Sequence, residues 1–309
     1  MTETIAIGTE SLSKTFGRGE KAVEAVKDLD LRVESGQVYG FLGPNGAGKS
    51  TTIRMIVDLV RPTHGNANLF GQSVRKHREV LKRVSAMVET PSFYGFLSGR
   101  DNLEVLSRSA NDYRASRIDE VLDRADLVES ADRRVKEYST GMKQRLGVAG
   151  TLLSDPDLII LDEPTNGLDP IGIREMRRII RRLVEVDKKT VFLSSHILHE
   201  VEQVCDRVAI INHGVCVQEG AVTELLGQRF QGIRLLVTPM EAAASNLREK
   251  WAVSVEKEWL TVSALPEEAA EIVRRLVDQE VEVHQVVAKQ QTLEELFMEA
   301  TDSGNGDPN

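Results

Sequence analysis

The segment GPNGAGKS at residues 43–50 constrains the fold more than any other feature, because it fits the pattern GxxxxGK followed by Ser or Thr. It follows an apolar segment at residues 37–42, which predicts a buried strand, and it leads into residues 49–59, which predict a helix. Glycines in such a loop let backbone N–H groups turn inward around a phosphate, and the helix adds the positive end of its dipole. The sequence therefore predicts a phosphate-binding loop. Its predicted nucleotide-binding residues are Gly43, Pro44, Asn45, Gly46, Ala47, Gly48, Lys49, Ser50 and Thr51.

Two side chains of this loop carry the chemistry. Lys49 is expected to reach the β- and γ-phosphate oxygens with its positive charge, and the Ser50 hydroxyl is expected to ligate Mg²⁺. A glycine-rich turn before a capped helix would explain the glycines, but it would not require Lys and Ser at these two positions. The loop therefore predicts a nucleotide site that uses Mg²⁺, with Lys49 as one of its catalytic residues.

A second apolar segment, residues 158–161, ends in the acidic pair Asp162 and Glu163. We expect Asp162 to lie near the metal and Glu163 to polarise the water that attacks the γ-phosphate, as a general base. A buried strand capped by two solvated acids is the alternative for the pair alone. The segments YSTGMKQR at residues 138–145 and PTNGLD at residues 164–169 argue against that alternative, because they place the pair among further motifs.

Alternation of strands and helices in the first part of the chain predicts an α/β domain with a largely parallel sheet. After about residue 225 the pattern changes to the order β-α-β-β-α-β, which matches a ferredoxin-like module. We therefore predict the α/β phosphate-loop domain over residues 1–225 and a small α+β ferredoxin-like module over residues 230–290. Residues 291–309 are predicted to form a terminal helix and a disordered tail.

Composition argues against several classes of protein. The 309 residues carry a net charge of −9, and basic residues at 174–182 read as a solvated helix face, so we expect no nucleic-acid partner. Two cysteines without CxxC spacing fit a reducing compartment. The chain shows neither a signal-peptide pattern nor an apolar run near the roughly 20 residues that span a bilayer. These features predict a cytoplasmic protein, with any membrane part supplied by another polypeptide.

The motifs, taken in order, resemble those of the ABC ATPase family over residues 8–222. The correspondence comprises Walker A at residues 43–50, the signature segment at 138–142, Walker B at 158–163, the D-loop at 166–169 and the switch histidine at His196. The resemblance implies the P-loop ABC cassette fold, with a parallel-sheet core and antiparallel β and helical subdomains, and it implies binding and hydrolysis of ATP.

The same resemblance implies roles for individual residues. Phe16 would stack on adenine, His196 would hydrogen-bond the γ-phosphate as a catalytic residue, and Asp169 of the D-loop would belong to the nucleotide site. His196 and His199 could also suggest a metal site, but no third ligand accompanies them and their spacing fits no zinc-protease pattern.

The signature segment implies a second copy of the chain. In the family, Ser139 and Gly141 face the ATP that the other subunit holds, so two cassettes sandwich two ATP molecules head to tail. The chain departs from the usual LSGGQ, with Tyr138 for Leu, Thr140 for Gly and Met142 for Gln. Because Ser139 and Gly141 are retained, we expect a competent site and a homodimer.

A further departure points to one branch of the family. Glu89 stands where most cassettes carry a Gln that meets Mg²⁺ and the membrane subunit, so we assign it to the nucleotide site and the metal. With residues 93–103 and 292–298, it makes the chain similar to the ATPases of bacitracin, lantibiotic and daunorubicin-resistance exporters. That similarity implies separate multi-helix membrane permease subunits, a peripheral position on the inner face of the membrane, and export of a drug, antibiotic peptide or lipid-like substrate.

The alternative is an ABC ATPase outside transport, acting as a regulatory or ribosome-associated factor. Ribosome-associated members carry two cassettes in one chain, whereas this sequence has one glycine-rich phosphate loop. A purely regulatory subunit would lose Lys49 or Glu163, and both are present. We therefore expect an active transport ATPase.

Overall fold

A computed structural model describes residues 5–89, 91–110, 113–227, 230–290 and 292–302. The chain divides into two compact units, of which the first comprises the residues up to Ala221 together with those from Ala300 onward and the second covers Val222–Glu299. None of the helices in these ranges is both long and apolar enough to cross a membrane.

The first unit alternates strands with helices, as the sequence predicts. Its strands are β1 (Ile5–Phe16), β2 (Val23–Glu34), β3 (Val38–Leu42), β4 (His64–Leu69), β5 (Gln72–Ser73), β6 (Val84–Met87), β7 (Leu158–Asp162), β8 (Thr190–Ser195), β9 (Arg207–Asn212) and β10 (Val215–Ala221). Its helices are α1 (Lys49–Ile56), α2 (Gly99–Ser109), α3 (Ala115–Arg124), α4 (Thr140–Leu152), α5 (Pro170–Glu185) and α6 (Leu198–Glu202).

A six-stranded sheet positions the site. Its order is β10-β9-β3-β8-β7-β6, and all neighbours pair in parallel except the edge strand β10, which is antiparallel to β9. Every residue of β3 and β7 is buried, as expected for strands covered on both faces. Because these strands run in one direction, the residues that follow β3, β7 and β8 meet at one edge of the sheet. Ligands of open parallel sheets bind outside this carboxyl edge.

Two further parts complete this unit. An antiparallel sheet of order β2-β1-β4-β5 contributes Ile7, Leu12 and Leu69 to a core shared with the parallel sheet. Helices α2, α3 and α4 pack against one another, and the buried Arg117 of α3 donates two hydrogen bonds to the Leu152 carbonyl at the end of α4. The predicted parallel core with antiparallel and helical subdomains is confirmed.

The second unit contains a four-stranded sheet with its own core. Its elements are α7 (Val222–Gly227), β11 (Phe230–Thr238), α8 (Met240–Leu247), β12 (Ala252–Glu256), β13 (Trp259–Ser263), α9 (Ala269–Val277), β14 (Glu282–Gln290) and α10 (Leu293–Asp302), of which residues 293–299 belong to this unit. The sheet has the order β12-β13-β11-β14, with antiparallel neighbours throughout. From β11 to β14 the elements follow the predicted β-α-β-β-α-β order. The ferredoxin-like assignment stays a prediction.

The predicted domain boundary differs slightly from the division in the structure. Residue 225 lies inside α7, whereas the units separate between Ala221 and Val222. Most of the predicted terminal helix is present as α10, which also includes Asp302, the first residue of the predicted disordered tail at 302–309. Residues 303–309 of that tail lie outside the described residues.

Candidate active site

The phosphate loop connects the buried end of β3 to the start of α1. Gly48 precedes α1 with a φ of +107°, and a Cβ at this position would lie 2.4 Å from the Ala25 carbonyl oxygen. Only glycine fits both the left-handed backbone and the close approach of β2. The first turn of α1 carries no acidic side chain that could compete for its N–H groups. The start of α1 is therefore suited to an anion.

Lys49 is held at the centre of the loop. Its side chain is only 6% exposed, and its ammonium donates hydrogen bonds to the carbonyls of Gly43 at 2.7 Å and Pro44 at 3.2 Å. The same ammonium also forms an ion pair with Glu163, whose Oε1 lies 3.1 Å away. An ammonium has three donors, so this arrangement fixes its position and directs its charge into the loop.

The two acids at the end of β7 face different partners. Asp162 is buried and accepts a hydrogen bond from the Ser194 hydroxyl, and the Ser194 Oγ in turn accepts one from the Glu163 N–H at 3.0 Å. Glu163 has a φ of +51°, a left-handed conformation at the turn after the strand. Its Oε2 lies 2.8 Å from His196 Nδ1, so the Glu163 carboxylate is held between a lysine and a histidine.

Lys49, Glu163 and His196 border one cavity of about 340 Å³ at the carboxyl edge of the sheet. It is lined by Ala25, Asn45, Gly46, Gly48, Lys49, Ser50, Thr51, Glu163, Asn166 and His196. Most of the predicted phosphate-loop residues, the predicted base and the switch histidine thus share one space. Sequence reasoning missed Ala25, for which no local pattern exists. It also missed Asn166, which lies in the D-loop segment and could have been included on that ground.

The signature and D-loop residues lie at a second cavity of the same protomer, also about 340 Å³. Ser139 caps the start of α4, where its hydroxyl oxygen accepts a hydrogen bond from the Met142 N–H at 3.2 Å. Asp169 caps α5 in the same way, accepting from the Gly172 N–H at 2.8 Å. Gly141 also lines this cavity. Within one protomer, the structure therefore separates the signature residues from the Lys49 cavity.

Six of the predicted site residues in the described part of the chain line neither of these two cavities: Phe16, Gly43, Pro44, Ala47, Glu89 and Asp162. Phe16 is the last residue of β1 and is 44% exposed, and the Lys14 ammonium lies 5.0 Å from its ring centroid. Glu89 has a φ of +71° and an exposed carboxylate that pairs with Arg54 of α1. The roles predicted for Phe16 and Glu89 stay predictions.

A glycine loop with a buried lysine, opposed by two acids and a histidine at the carboxyl edge of a parallel sheet, defines a P-loop nucleotide hydrolase. The chain belongs to the ABC transporter family, whose model matches residues 26–166. It is an ATP-binding and ATP-hydrolysing subunit, as the sequence predicts.

Individual relatives support the assignment. The chain is 46% identical over 214 residues, 69% of each protein, to the bacitracin transport ATP-binding protein BcrA of Bacillus licheniformis. It is 41% identical to the daunorubicin/doxorubicin resistance ATP-binding protein DrrA of Streptomyces peucetius, over 79% of this chain and 74% of the relative. The dimeric structure of the ABC transporter cassette MJ0796 superposes with a TM-score of 0.62 at 25% identity, covering 70% of this chain and 98% of the cassette.

Proposed function

We propose that the chain powers the export of an antibiotic of the bacitracin or daunorubicin kind. It would do so as a homodimer on the cytoplasmic face of the membrane, beneath separate multi-helix membrane subunits. The contact of Glu163 with both Lys49 and His196 carries the hydrolytic part of the proposal, because it joins the proposed base to the phosphate loop. The choice of compounds is supported by the relatives BcrA, a bacitracin transport ATP-binding protein, and DrrA, a daunorubicin/doxorubicin resistance ATP-binding protein.

In this proposal Glu163 is the general base. Its carboxylate lies beside the ammonium that is expected to neutralise the β- and γ-phosphate oxygens, so it can accept a proton from the water that attacks the γ-phosphate. His196 is proposed to orient that carboxylate and to hydrogen-bond the γ-phosphate. All three side chains line the same cavity, which supports a shared role.

The residues present fit Mg²⁺ as the cofactor of ATP. The buried Asp162 carboxylate has one oxygen bonded to Ser194, and the Ser50 hydroxyl lines the cavity. In the described part of the chain, no group of three or more His, Cys, Asp or Glu forms a cation site on its own. This suits Mg²⁺, which proteins usually bind through one or two side chains together with phosphate oxygens. Bound there with ATP, it would neutralise phosphate charge.

The separation of the two cavities supports a head-to-tail homodimer. Ser139, Gly141 and the start of α4 present a hydroxyl and the positive end of a helix, which suit a phosphate. In one protomer they border a different cavity from Lys49. We propose that they contact the ATP held by the partner, while the exposed ring of Phe16 stacks on adenine.

Drug susceptibility tests the export function. Deleting the chain from the host that encodes it should increase susceptibility to bacitracin or daunorubicin. Wild-type chain should restore resistance, and Glu163→Gln should not, because resistance requires turnover. Unchanged susceptibility to both compounds after deletion would contradict this substrate class.

Replacing Glu89 by Gln should affect the coupling of turnover to the membrane subunits. A Gln side chain removes the ion pair with Arg54 and offers Mg²⁺ a neutral carbonyl. We expect the affinity for Mg-ATP to stay within about tenfold, or roughly 1.4 kcal/mol. Turnover with the membrane subunits should change more than basal turnover, measured side by side. Glu79→Gln, at another exposed and paired carboxylate, is the matched control. Equal effects on basal and coupled turnover would exclude a coupling role for Glu89.

A further inference from the structure

Tyr138 stands where the family has Leu, directly before the signature serine, and its ring is buried. The residue is 4% exposed, and its hydroxyl donates a hydrogen bond to the Ser130 carbonyl at 2.6 Å. Burial raises the pKa of the Tyr138 phenol above its ordinary value. A Leu at this position could fill part of the same space but could not make the bond to Ser130.

The ring fits only because residue 99 is a glycine. A Cβ at Gly99 would lie 2.3 Å from the Tyr138 hydroxyl oxygen and 3.1 Å from Cζ. An aromatic ring has no flexible end that could yield, so an added methyl group would force the ring away from Ser130 or displace the start of α2.

The start of α2 is itself firmly held. Ser98 and Asp101 form a capping box, in which the Ser98 hydroxyl accepts from the Asp101 N–H and the Asp101 carboxylate accepts from the Ser98 N–H. The Arg100 N–H donates to the Ala131 carbonyl at 2.9 Å. The wall of the Tyr138 slot is therefore rigid, and Gly99 forms part of that wall.

Ser139 follows this buried ring and is exposed. Its backbone is extended, with φ −64° and ψ 166°, and its hydroxyl oxygen accepts from the Met142 N–H. The nearest buried side chain that fixes the approach to Ser139 is the ring of Tyr138, which is tied at its far end to Ser130. The orientation of Ser139 at the start of α4 thus depends on a contact of Tyr138 with Ser130, in the segment between α3 and α4.

We propose that Tyr138 is the positioning residue for Ser139, seated in a slot that Gly99 keeps open. The inference rests on the proposed function, because it takes Ser139 to act on ATP held by the partner. It predicts that residues 99 and 138 vary as a pair: a larger residue at 99 requires a smaller one at 138.

Three variants test the pairing in a Glu163→Gln background, where ATP-driven dimer formation is measured by sedimentation or size-exclusion chromatography. Gly99→Ala should weaken dimer formation about tenfold or more, because the added methyl group would displace the Tyr138 ring and with it Ser139. Tyr138→Leu should also weaken it. The double variant should form the dimer better than Gly99→Ala alone.

Gly95→Ala is the matched control, since a Cβ there would meet Lys136 at an ordinary 3.5 Å. If the double variant forms the dimer no better than Gly99→Ala alone, the proposal that Gly99 keeps a slot open for Tyr138 is wrong.

Tyr138→Phe separates positioning from stability. It removes the bond to Ser130 and keeps the ring, so kcat should fall about fivefold while KM for ATP changes less than twofold. Tyr39→Phe is the matched control and should leave kcat unchanged, because it removes a 2.6 Å hydrogen bond from the buried Tyr39 ring to the exposed Glu219 of the edge strand β10. If Tyr138→Phe lowers the melting temperature but leaves kcat unchanged, Tyr138 contributes to packing only and does not position Ser139.

Ser139→Arg distinguishes this inference from the proposed function. If Ser139→Arg leaves ATP-driven dimer formation intact, the action of the signature serine on the partner's ATP is wrong, and the inference falls with it. If Ser139→Arg abolishes dimer formation while Tyr138→Phe and Gly99→Ala have no effect, the positioning role alone is wrong.

Discussion

Replacing Glu163 by Gln is expected to lower ATP turnover by about 10²- to 10⁴-fold, the range over which a positioned general base contributes. Gln keeps the shape of the side chain and can still hydrogen-bond His196, but it cannot accept a proton from water. The Lys49 ammonium keeps its bonds to the carbonyls of Gly43 and Pro44, so the phosphate loop should remain intact. ATP binding should persist, and an ATP-bound dimer should accumulate because its bound nucleotide is not consumed.

Phosphate release and size-exclusion chromatography with ATP measure both parts of this prediction. Glu185→Gln is a suitable control, because Glu185 is an exposed carboxylate paired with Arg181 on α5. Turnover in the Glu163 variant close to that of wild type would eliminate Glu163 as the base. Loss of ATP binding would instead assign the carboxylate a part in holding the phosphate loop.

The local chemistry of the phosphate site could be predicted from sequence because it depends on neighbours in the chain. The glycine loop lies between a strand and a helix, and a left-handed Gly48 is what the motif requires. The two acids follow a buried strand, and parallel strands bring their carboxyl ends together. The contacts of Lys49 with Glu163 and of Glu163 with His196 follow from this parallel arrangement of the strands.

Features that depend on tertiary contacts were not predictable in the same way. Alternation of apolar and polar residues predicts a half-buried strand over residues 27–33. Strand β2 instead begins at Val23, because Val23 pairs with Phe16 across the hairpin. Helix α1 ends at Ile56, whereas the sequence predicts a helix up to residue 59. Asp58, just after the helix end, has a left-handed φ of +59°. Neither the ion pair of Glu89 with Arg54 nor the contact of Tyr138 with Gly99 has a local signal, because Arg54 lies 35 residues before Glu89 and Gly99 lies 39 residues before Tyr138.

Complementation between two inactive variants addresses the arrangement of the dimer most directly. Lys49→Ala removes a buried charge from the phosphate loop and should weaken ATP binding by about two to three orders of magnitude, since truncating one partner of a buried charge pair costs 2–5 kcal/mol. Ser139→Arg leaves that loop intact and blocks the signature face. Neither variant alone should hydrolyse ATP at an appreciable rate.

Mixed in equal amounts, these two variants should recover activity, up to about a quarter of the wild-type rate. In a head-to-tail heterodimer, one site combines the intact Lys49 of the Ser139→Arg chain with the intact Ser139 of the Lys49→Ala chain. The other site carries both defects, and random pairing makes half of the dimers heterodimers. The control mixture is Lys49→Ala with Glu163→Gln. These two residues line the same cavity of one protomer, so no heterodimer of that mixture contains a complete site. Recovery in the control, or its failure in the Ser139→Arg mixture, would contradict an ATP site shared between the two chains.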